Sequence, residues 1–170
     1  MRARDRRGQR GSHGKHGHRG QALVEFSLVF PLLVLFAVAM IDMGRAVWAY
    51  TQITNAARQG ARVAAVNQVS SSSECDASRP IEDPLDAHWT IVGCAIVAGG
   101  PLGLTASNVS VSYAAPPSTT VSCSPTLHIG CIASVTVTYA YTPATPILSA
   151  ILSPIGMSAT SQQPIERVFP

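Results

Sequence analysis

A chain of 170 residues has room for one modest domain with appendages, which excludes an enzyme built on two large cores. Charged residues make up 12% of the sequence, roughly half of the usual share, and aromatic residues only 6%. This composition favours a small, β-rich surface domain.

The formal net charge of +3 is unevenly distributed along the chain. Residues 1–20 carry seven basic side chains against Asp5 alone, whereas residues 21–170 carry five basic and eight acidic ones. A basic flank on one side of an apolar segment is typical of the cytoplasmic side of a membrane protein. We therefore expect residues 1–20 to be a disordered cytoplasmic leader, and the charge gives no reason to expect nucleic-acid binding.

The next segment, Ala22 to Ile41, contains twenty residues whose only charged side chain is Glu25. At about 1.5 Å per residue, a helix of this length spans the roughly 30 Å hydrocarbon core of a bilayer. The pattern predicts one transmembrane helix, bent at Pro31 because proline cannot donate the backbone hydrogen bond to Ser27. A carboxylate costs about 3 kcal/mol in that environment, so Glu25 indicates a function.

An alternative for this segment is that Ala37-Val38-Ala39 is a signal-peptidase site that releases the rest of the chain. Against this alternative, the apolar run continues beyond the tripeptide, and a helical pattern follows it without a proline.

After Asp42, small and apolar residues recur at steps of three and four, which predicts an amphipathic continuation of the same helix to about residue 69. We expect this face to pack against the C-terminal domain. It comprises Ala46, Tyr50, Ile53, Ala57, Gly60, Ala61 and Ala64.

Residues 70–170 are predicted to form an exported α+β domain with a short helix and a small antiparallel sheet. A serine run from Ser70 ends the long helix, and a second helix is predicted from about Leu85 to Gly99. The predicted strands are Asn108–Tyr113, Thr119–Cys123, Ile132–Tyr141 and an edge strand, Met157–Gln163, beside the third.

All four cysteines follow the apolar segment, which predicts two disulfides in an oxidising compartment. Three pairings are possible. We favour Cys123–Cys131, which closes a short loop between strand-like runs, and by elimination Cys75–Cys94. Zinc is the disfavoured alternative because the sequence has no Cys-x-x-Cys or His-x-x-x-His spacing.

No catalytic motif is present, so we expect neither an enzyme nor a small-molecule substrate nor a cofactor. The histidines of the leader alternate with Gly and Lys, which favours a solvated tail over a metal tract. The acidic residues between Glu74 and Asp86 lack the ligand spacing of a calcium site.

Glu25 gains a partner if the chain is cut after Gly20, because Gln21 then carries a free α-amino group. Glu25 becomes the fifth residue of the shortened chain, little more than one helical turn away. The amine of the same subunit or of a neighbour would neutralise the carboxylate, and pairing between subunits would set their axial register.

Three sequence segments resemble those of a known family. Residues 19–33 read Arg-Gly-Gln-Ala-Leu-Val-Glu-Phe-Ser-Leu-Val-Phe-Pro-Leu-Leu, residues 41–45 read Ile-Asp-Met-Gly-Arg, and residues 55–62 read Asn-Ala-Ala-Arg-Gln-Gly-Ala-Arg. Together they resemble the TadE-like family of the tight-adherence (Flp) pilus machinery. Gly20 followed by Glu25 and Phe26 also resembles the prepilin-peptidase site of type IV pilins.

The resemblance implies a pilin-like fold and a minor pilin or pseudopilin stored in the cytoplasmic membrane, with other pilus-assembly subunits as partners. It makes Gly20 the cleavage residue for a prepilin peptidase, Gln21 the new N-terminus, and Glu25 and Phe26 processing and assembly residues. The alternative is an unprocessed, single-pass, membrane-anchored domain with a binding or structural role outside the cytoplasm.

Overall fold

A computed structural model describes residues 17–66, 75, 90–117, 122–123, 127–145, 149–150 and 153–166. The predicted α+β fold, with a long N-terminal helix and a small antiparallel sheet, is confirmed. Its elements are α1 (Gly17–Val66), α2 (Ile91–Ala98), 3₁₀ turns at Gly100–Leu102 and Ala106–Asn108, and strands β1 (Val109–Ala114), β2 (Ile132–Tyr141) and β3 (Ile155–Pro164). The chain divides into two compact units between Ile41 and Asp42.

In the first unit, the described residues 17–41 are helical throughout. The helix continues through Pro31 without a break, and it begins at Gly17, earlier than predicted. The bend at Pro31 stays a prediction. Most of the leader and the predicted end of the helix at residues 67–69 lie outside the described residues.

The second unit contains a three-stranded sheet in the order β1-β2-β3, with both neighbouring pairs antiparallel. Val109 pairs with Val137 at one edge of β2, and Ile155 pairs with Tyr141 at the other. The predicted bounds of β2 are confirmed. β1 is displaced by one residue, β3 is longer at both ends, and the predicted strand Thr119–Cys123 lies mostly outside the described residues.

The Asp42–Val66 half of α1 shares one hydrophobic core with this sheet. Buried and more exposed residues alternate along the central strand β2, and its inward residues Ala133, Val135 and Val137 are fully buried. Gly60 lets helix α1 lie close to strand β2, because a Cβ at this position would be only 3.0 Å from Val135 Cγ1. The buried residues of the helix are Asp42, Ala49, Ile53, Ala56, Ala57, Gly60, Ala61, Val63, Ala64 and Ala65.

Tyr50 departs from the predicted packing face, since 52% of its surface is exposed, and Ala46 of the same predicted face is only partly buried. Ala49 is buried instead. A helix turns by about 100° per residue, so the face centred on Ile53 and Ala57 continues back through Ala49 and leaves Tyr50 to one side. The prediction for Tyr50 was wrong by one helical position.

The short helix α2 begins at Ile91, later than the predicted start near Leu85. Thr90 has an extended backbone, and its hydroxyl accepts a hydrogen bond from the Gly93 N–H at 3.0 Å. Threonine is a preferred residue at the N-cap because its side chain accepts a hydrogen bond from a backbone amide that the helix leaves unpaired at its start. The prediction of one helix continuous from Leu85 was therefore wrong, and residues 85–89 lie outside the described part of the chain.

The structure contains two disulfides, and the favoured pairing is confirmed. Cys75 is bonded to Cys94, with Cα atoms 4.8 Å apart, and Cys123 is bonded to Cys131, with Cα atoms 6.0 Å apart. Cys94 and Cys131 are almost completely buried. No cysteine is left free to bind zinc.

The end of the described chain is tied to both the sheet and α1. The Ile165 N–H donates to the Cys131 carbonyl at 2.7 Å, and the Glu166 N–H donates to the Ala65 carbonyl at 3.0 Å. The second bond satisfies one of the carbonyls that the last helical turn leaves without an intrahelical partner. The end of α1 is thereby fixed to the segment that follows β3.

Candidate membrane and assembly site

The first unit presents an apolar helix surface that the described residues do not cover. Among the described elements, α1 is the one helix long and apolar enough to cross a membrane, and its most apolar 18-residue window has a mean hydropathy of 2.5. Soluble proteins rarely expose apolar patches this extensive. The exposed side chains include Leu23, Val24, Phe26, Leu28, Phe30, Leu32, Leu33 and Phe36. This surface fits a membrane anchor.

Polar groups inside this stretch are few, and one of them is satisfied locally. The Ser27 hydroxyl donates to the Val24 carbonyl of its own helix at 2.8 Å, a common way for serine to lie in an apolar helix. Phe26 stacks on Phe30 one turn later, with ring centroids 5.4 Å apart. Phe26 and Phe30 therefore lie on the same face of α1, and both contribute to its apolar surface.

Glu25 lies on this surface and is exposed. Among the side chains that the structure describes, which begin at Gly20 on this helix, no basic group forms a salt bridge with it; the one such ion pair joins Arg45 to Asp42 at 3.5 Å. Gly20 is also exposed, and a Cβ added there would meet nothing within 4 Å. The structure thus places the predicted cleavage residue and the predicted assembly acid on one open helix, 5 residues apart.

Asp42 opens the second unit, and it is buried, with 6% of its surface exposed. Its carboxylate accepts hydrogen bonds from the backbone N–H groups of Ala144, at 3.2 Å, and Thr145, at 3.3 Å. The Thr145 hydroxyl donates to the same carboxylate. The Tyr141 hydroxyl donates to the Asp42 backbone carbonyl at 2.9 Å. We call Asp42, Tyr141, Ala144 and Thr145 the helix clamp.

The hydrogen bond from the Thr145 hydroxyl is the main reason why the pKa of Asp42 lies below its ordinary value of 3.8. Burial acts in the opposite direction, and the Ala144 and Thr145 amides and the Arg45 guanidinium lower the pKa further. The clamp therefore holds the ionised carboxylate, and every hydrogen bond that this carboxylate accepts favours that form.

Sequence reasoning missed the clamp. Residues 142–146 indicated only the end of a strand, and Asp42 indicated only the end of the apolar run. The available signal was an isolated aspartate between apolar residues of one helix: if such a residue is buried, it needs hydrogen-bond donors from elsewhere in the chain. A Thr-Pro-Ala-Thr turn directly after a predicted strand offers backbone amides of this kind.

Other kinds of site find no support among the described residues. No group of three or more His, Cys, Asp or Glu side chains is placed to hold a metal ion in that part of the chain. The acidic residues from Glu74 to Asp86, for which no calcium-ligand spacing was found, lie outside it.

In the part of the chain that the structure describes, these features define a class of protein: an apolar helix of membrane-spanning length followed along the chain by a disulfide-bonded α+β domain. Residues 20–62 match the family model described as TadE-like protein. The resemblance predicted from the sequence is confirmed for this segment, which begins at Gly20 and includes Glu25, Asp42 and Gly60. The match indicates involvement in tight-adherence pilus assembly. Neither a curated protein nor a solved structure matches the chain significantly.

Proposed function

We propose that the protein is a minor pilin or pseudopilin of a tight-adherence, type IV-related pilus system. In this proposal, a prepilin peptidase cuts after Gly20, and residues 21–41 hold the subunit in the cytoplasmic membrane. The observation that carries this proposal is the TadE-like match, which begins at Gly20 and lies on helix α1. The exposed apolar surface of that helix bears one carboxylate, Glu25.

The free-energy cost of placing Glu25 in the membrane gives a physical reason for cleavage after Gly20. An unpaired carboxylate in hydrocarbon costs about 3 kcal/mol, and the side chains described from Gly20 onward form no ion pair with it. Cleavage after Gly20 creates an amine on Gln21, close enough along the helix to pair with the acid of the same or a neighbouring subunit. The charge then favours assembly, because a neighbour's amine offsets part of that cost.

The proposed topology puts residues 1–20 in the cytoplasm and the second unit outside it. The concentration of basic residues before Gln21 supports this orientation. The two disulfides support it independently, since such bonds persist in oxidising compartments and are rare in the cytosol.

The experiment that tests processing is intact-mass measurement of the membrane form after co-expression with the prepilin peptidase of the same system. We expect loss of residues 1–20, abolished in Gly20→Ala. Because a Cβ at Gly20 meets nothing within 4 Å, this variant should fold normally. Gly44→Ala, equally open and on the same helix, is the matched control and should be cut. An uncut wild-type chain would support the unprocessed anchored domain instead.

The assembly role of Glu25 is tested by Glu25→Gln, which removes the charge and keeps the size of the side chain. We expect the protein to remain in the membrane while surface piliation falls. Glu166→Gln, at an exposed position of the second unit, is the control and should leave piliation unchanged. Normal piliation in Glu25→Gln would refute the assembly role without bearing on membrane anchoring.

A further inference from the structure

Between Ile41 and Tyr50, α1 has two faces with different surroundings. One face carries Asp42 and Ala49, which are buried within the second unit. The rest of the helix circumference exposes large side chains, with Trp48 (46% accessible) and Tyr50 (52% accessible) about 100° to either side of Ala49 and the exposed Val47 between them at the back. Two aromatic residues left open shortly after an apolar, membrane-length segment need an explanation that the TadE-like match does not supply.

Distance along the helix indicates where these aromatic side chains lie. If the apolar run from Ala22 to Ile41 fills the hydrocarbon core, the Trp48 Cα lies about 10 Å farther along α1. The headgroup layer on each side of that core is about 5–8 Å deep. Side chains on a helix lean toward its N-terminus, so the rings of Trp48 and Tyr50 reach back to the level of the outer headgroups.

The chemistry of the two side chains fits that level. Trp and Tyr combine an apolar ring with one polar group and are enriched at membrane–water interfaces. Among the described residues, neither the Trp48 indole N–H nor the Tyr50 hydroxyl has a hydrogen-bond partner, whereas both residues' backbone carbonyls accept from threonine hydroxyls, Thr51 and Thr54. Headgroup phosphates and carbonyls would accept these two free donors.

We propose that Trp48 and Tyr50 form an interfacial anchor that binds the headgroup region of the outer leaflet. Asp42, on the other face of the same stretch, is held by the helix clamp. This inference rests on the proposed membrane anchoring, and it goes further by fixing the level at which the span ends.

Fluorescence quenching in vesicles tests the inference, because the chain has two tryptophans and Trp89→Phe leaves Trp48 as the single reporter. The full chain would be reconstituted in phosphatidylcholine vesicles brominated either near the headgroup or near the chain ends. We expect several-fold stronger quenching of Trp48 by the shallow bromine. Quenching by neither probe, or stronger quenching by the deep one, would overturn the assignment.

A second reporter separates failure of this inference from failure of the proposed anchoring. Phe30→Trp, in a chain that also carries Trp48→Phe and Trp89→Phe, places a tryptophan near the middle of the apolar run. It should be quenched most strongly by the deep bromine. If this reporter is quenched and Trp48 is not, the interfacial anchor alone is refuted; if neither is quenched, the membrane anchoring itself fails.

Two further controls keep the result decisive. If Trp89→Phe does not fold, the difference in shallow quenching between the wild-type chain and Trp48→Phe reports Trp48 directly. A neighbouring copy is the competing occupant of this face. Shielding of Trp48 from aqueous iodide that increases with the protein-to-lipid ratio, without quenching by shallow bromine, would show such a copy and overturn the proposal.

Discussion

Gly60 and Gly44 lie on the same helix but have opposite surroundings, and alanine at each position gives a paired test of the packing. At Gly44, a new Cβ meets nothing within 4 Å. At Gly60, it would lie 3.0 Å from Val135 Cγ1, 3.2 Å from Ala95 Cβ and 3.4 Å from the Ile91 carbonyl oxygen. The two substitutions are chemically identical, so their difference isolates the contact with β2 and α2.

The magnitude follows from two opposing terms. Replacing glycine by alanine inside a helix stabilises it by about 1 kcal/mol. Gly44→Ala should keep this gain. At Gly60, inserting a methyl group into a packed core costs about 1–3 kcal/mol, which cancels the gain or exceeds it. Because the helix term is common to both, Gly60→Ala should be less stable than Gly44→Ala by about 1–3 kcal/mol.

The assay is denaturant unfolding of the full chain in detergent micelles with the disulfides intact, with amide exchange in β2 as a second readout. The free energies of unfolding of the two variants are compared only if both depend on denaturant concentration with the same slope. If Gly60→Ala is stabilised as much as Gly44→Ala, the helix does not press on the sheet at this point, and the packing argument is refuted.

Three more predictions concern the second unit. Asp42→Asn should be less stable than wild type at neutral pH, but the difference should shrink as the pH falls from 3.8 toward the lower folded-state pKa, because an acid with a depressed pKa stabilises the fold only while ionised; a pH series of unfolding midpoints checks this, and a pH-independent difference would contradict it. Tyr141→Phe should cost about 1 kcal/mol through the lost hydrogen bond to Asp42, measured by the same unfolding titration, and no loss would show that the bond contributes nothing. Replacing Cys123 and Cys131 together by serine should cost about 2–3 kcal/mol for so short a loop, and unchanged stability would contradict this.

Strong local patterns made much of the fold predictable. Apolar and polar residues alternate through the middle of β2, from Ala133 to Tyr139, and this period-two pattern located the strand. The disulfide pairing followed from the short separation of Cys123 and Cys131, which left only Cys75 and Cys94. The apolar run from Ala22 and the residues around Gly20 and Glu25 were enough to predict the TadE-like segment.

The predictions that were wrong or missing concern features that depend on contacts between residues far apart in the sequence. Tyr50 fits a three-and-four spacing as well as Ala49 does, and only the position of the sheet decides which of them is buried. The helix clamp joins Asp42 to residues about a hundred positions later, and no local pattern encodes that pairing. The start of α2 was decided by the Thr90 side chain, whose capping role competes with an apolar pattern that continues through it.

Within the second unit, two hydrogen-bonded attachments of the Asp42–Val66 half of α1 have a mechanical consequence. Asp42 is bonded to the turn after β2, and the Ala65 carbonyl accepts from the segment after β3. These points are about 35 Å apart along the helix. A pull on the helix toward its N-terminus therefore loads both attachments and the apolar contacts between them in shear, so they must yield together and cannot be peeled apart one at a time. A subunit held by its N-terminal helix would keep its domain docked under such tension.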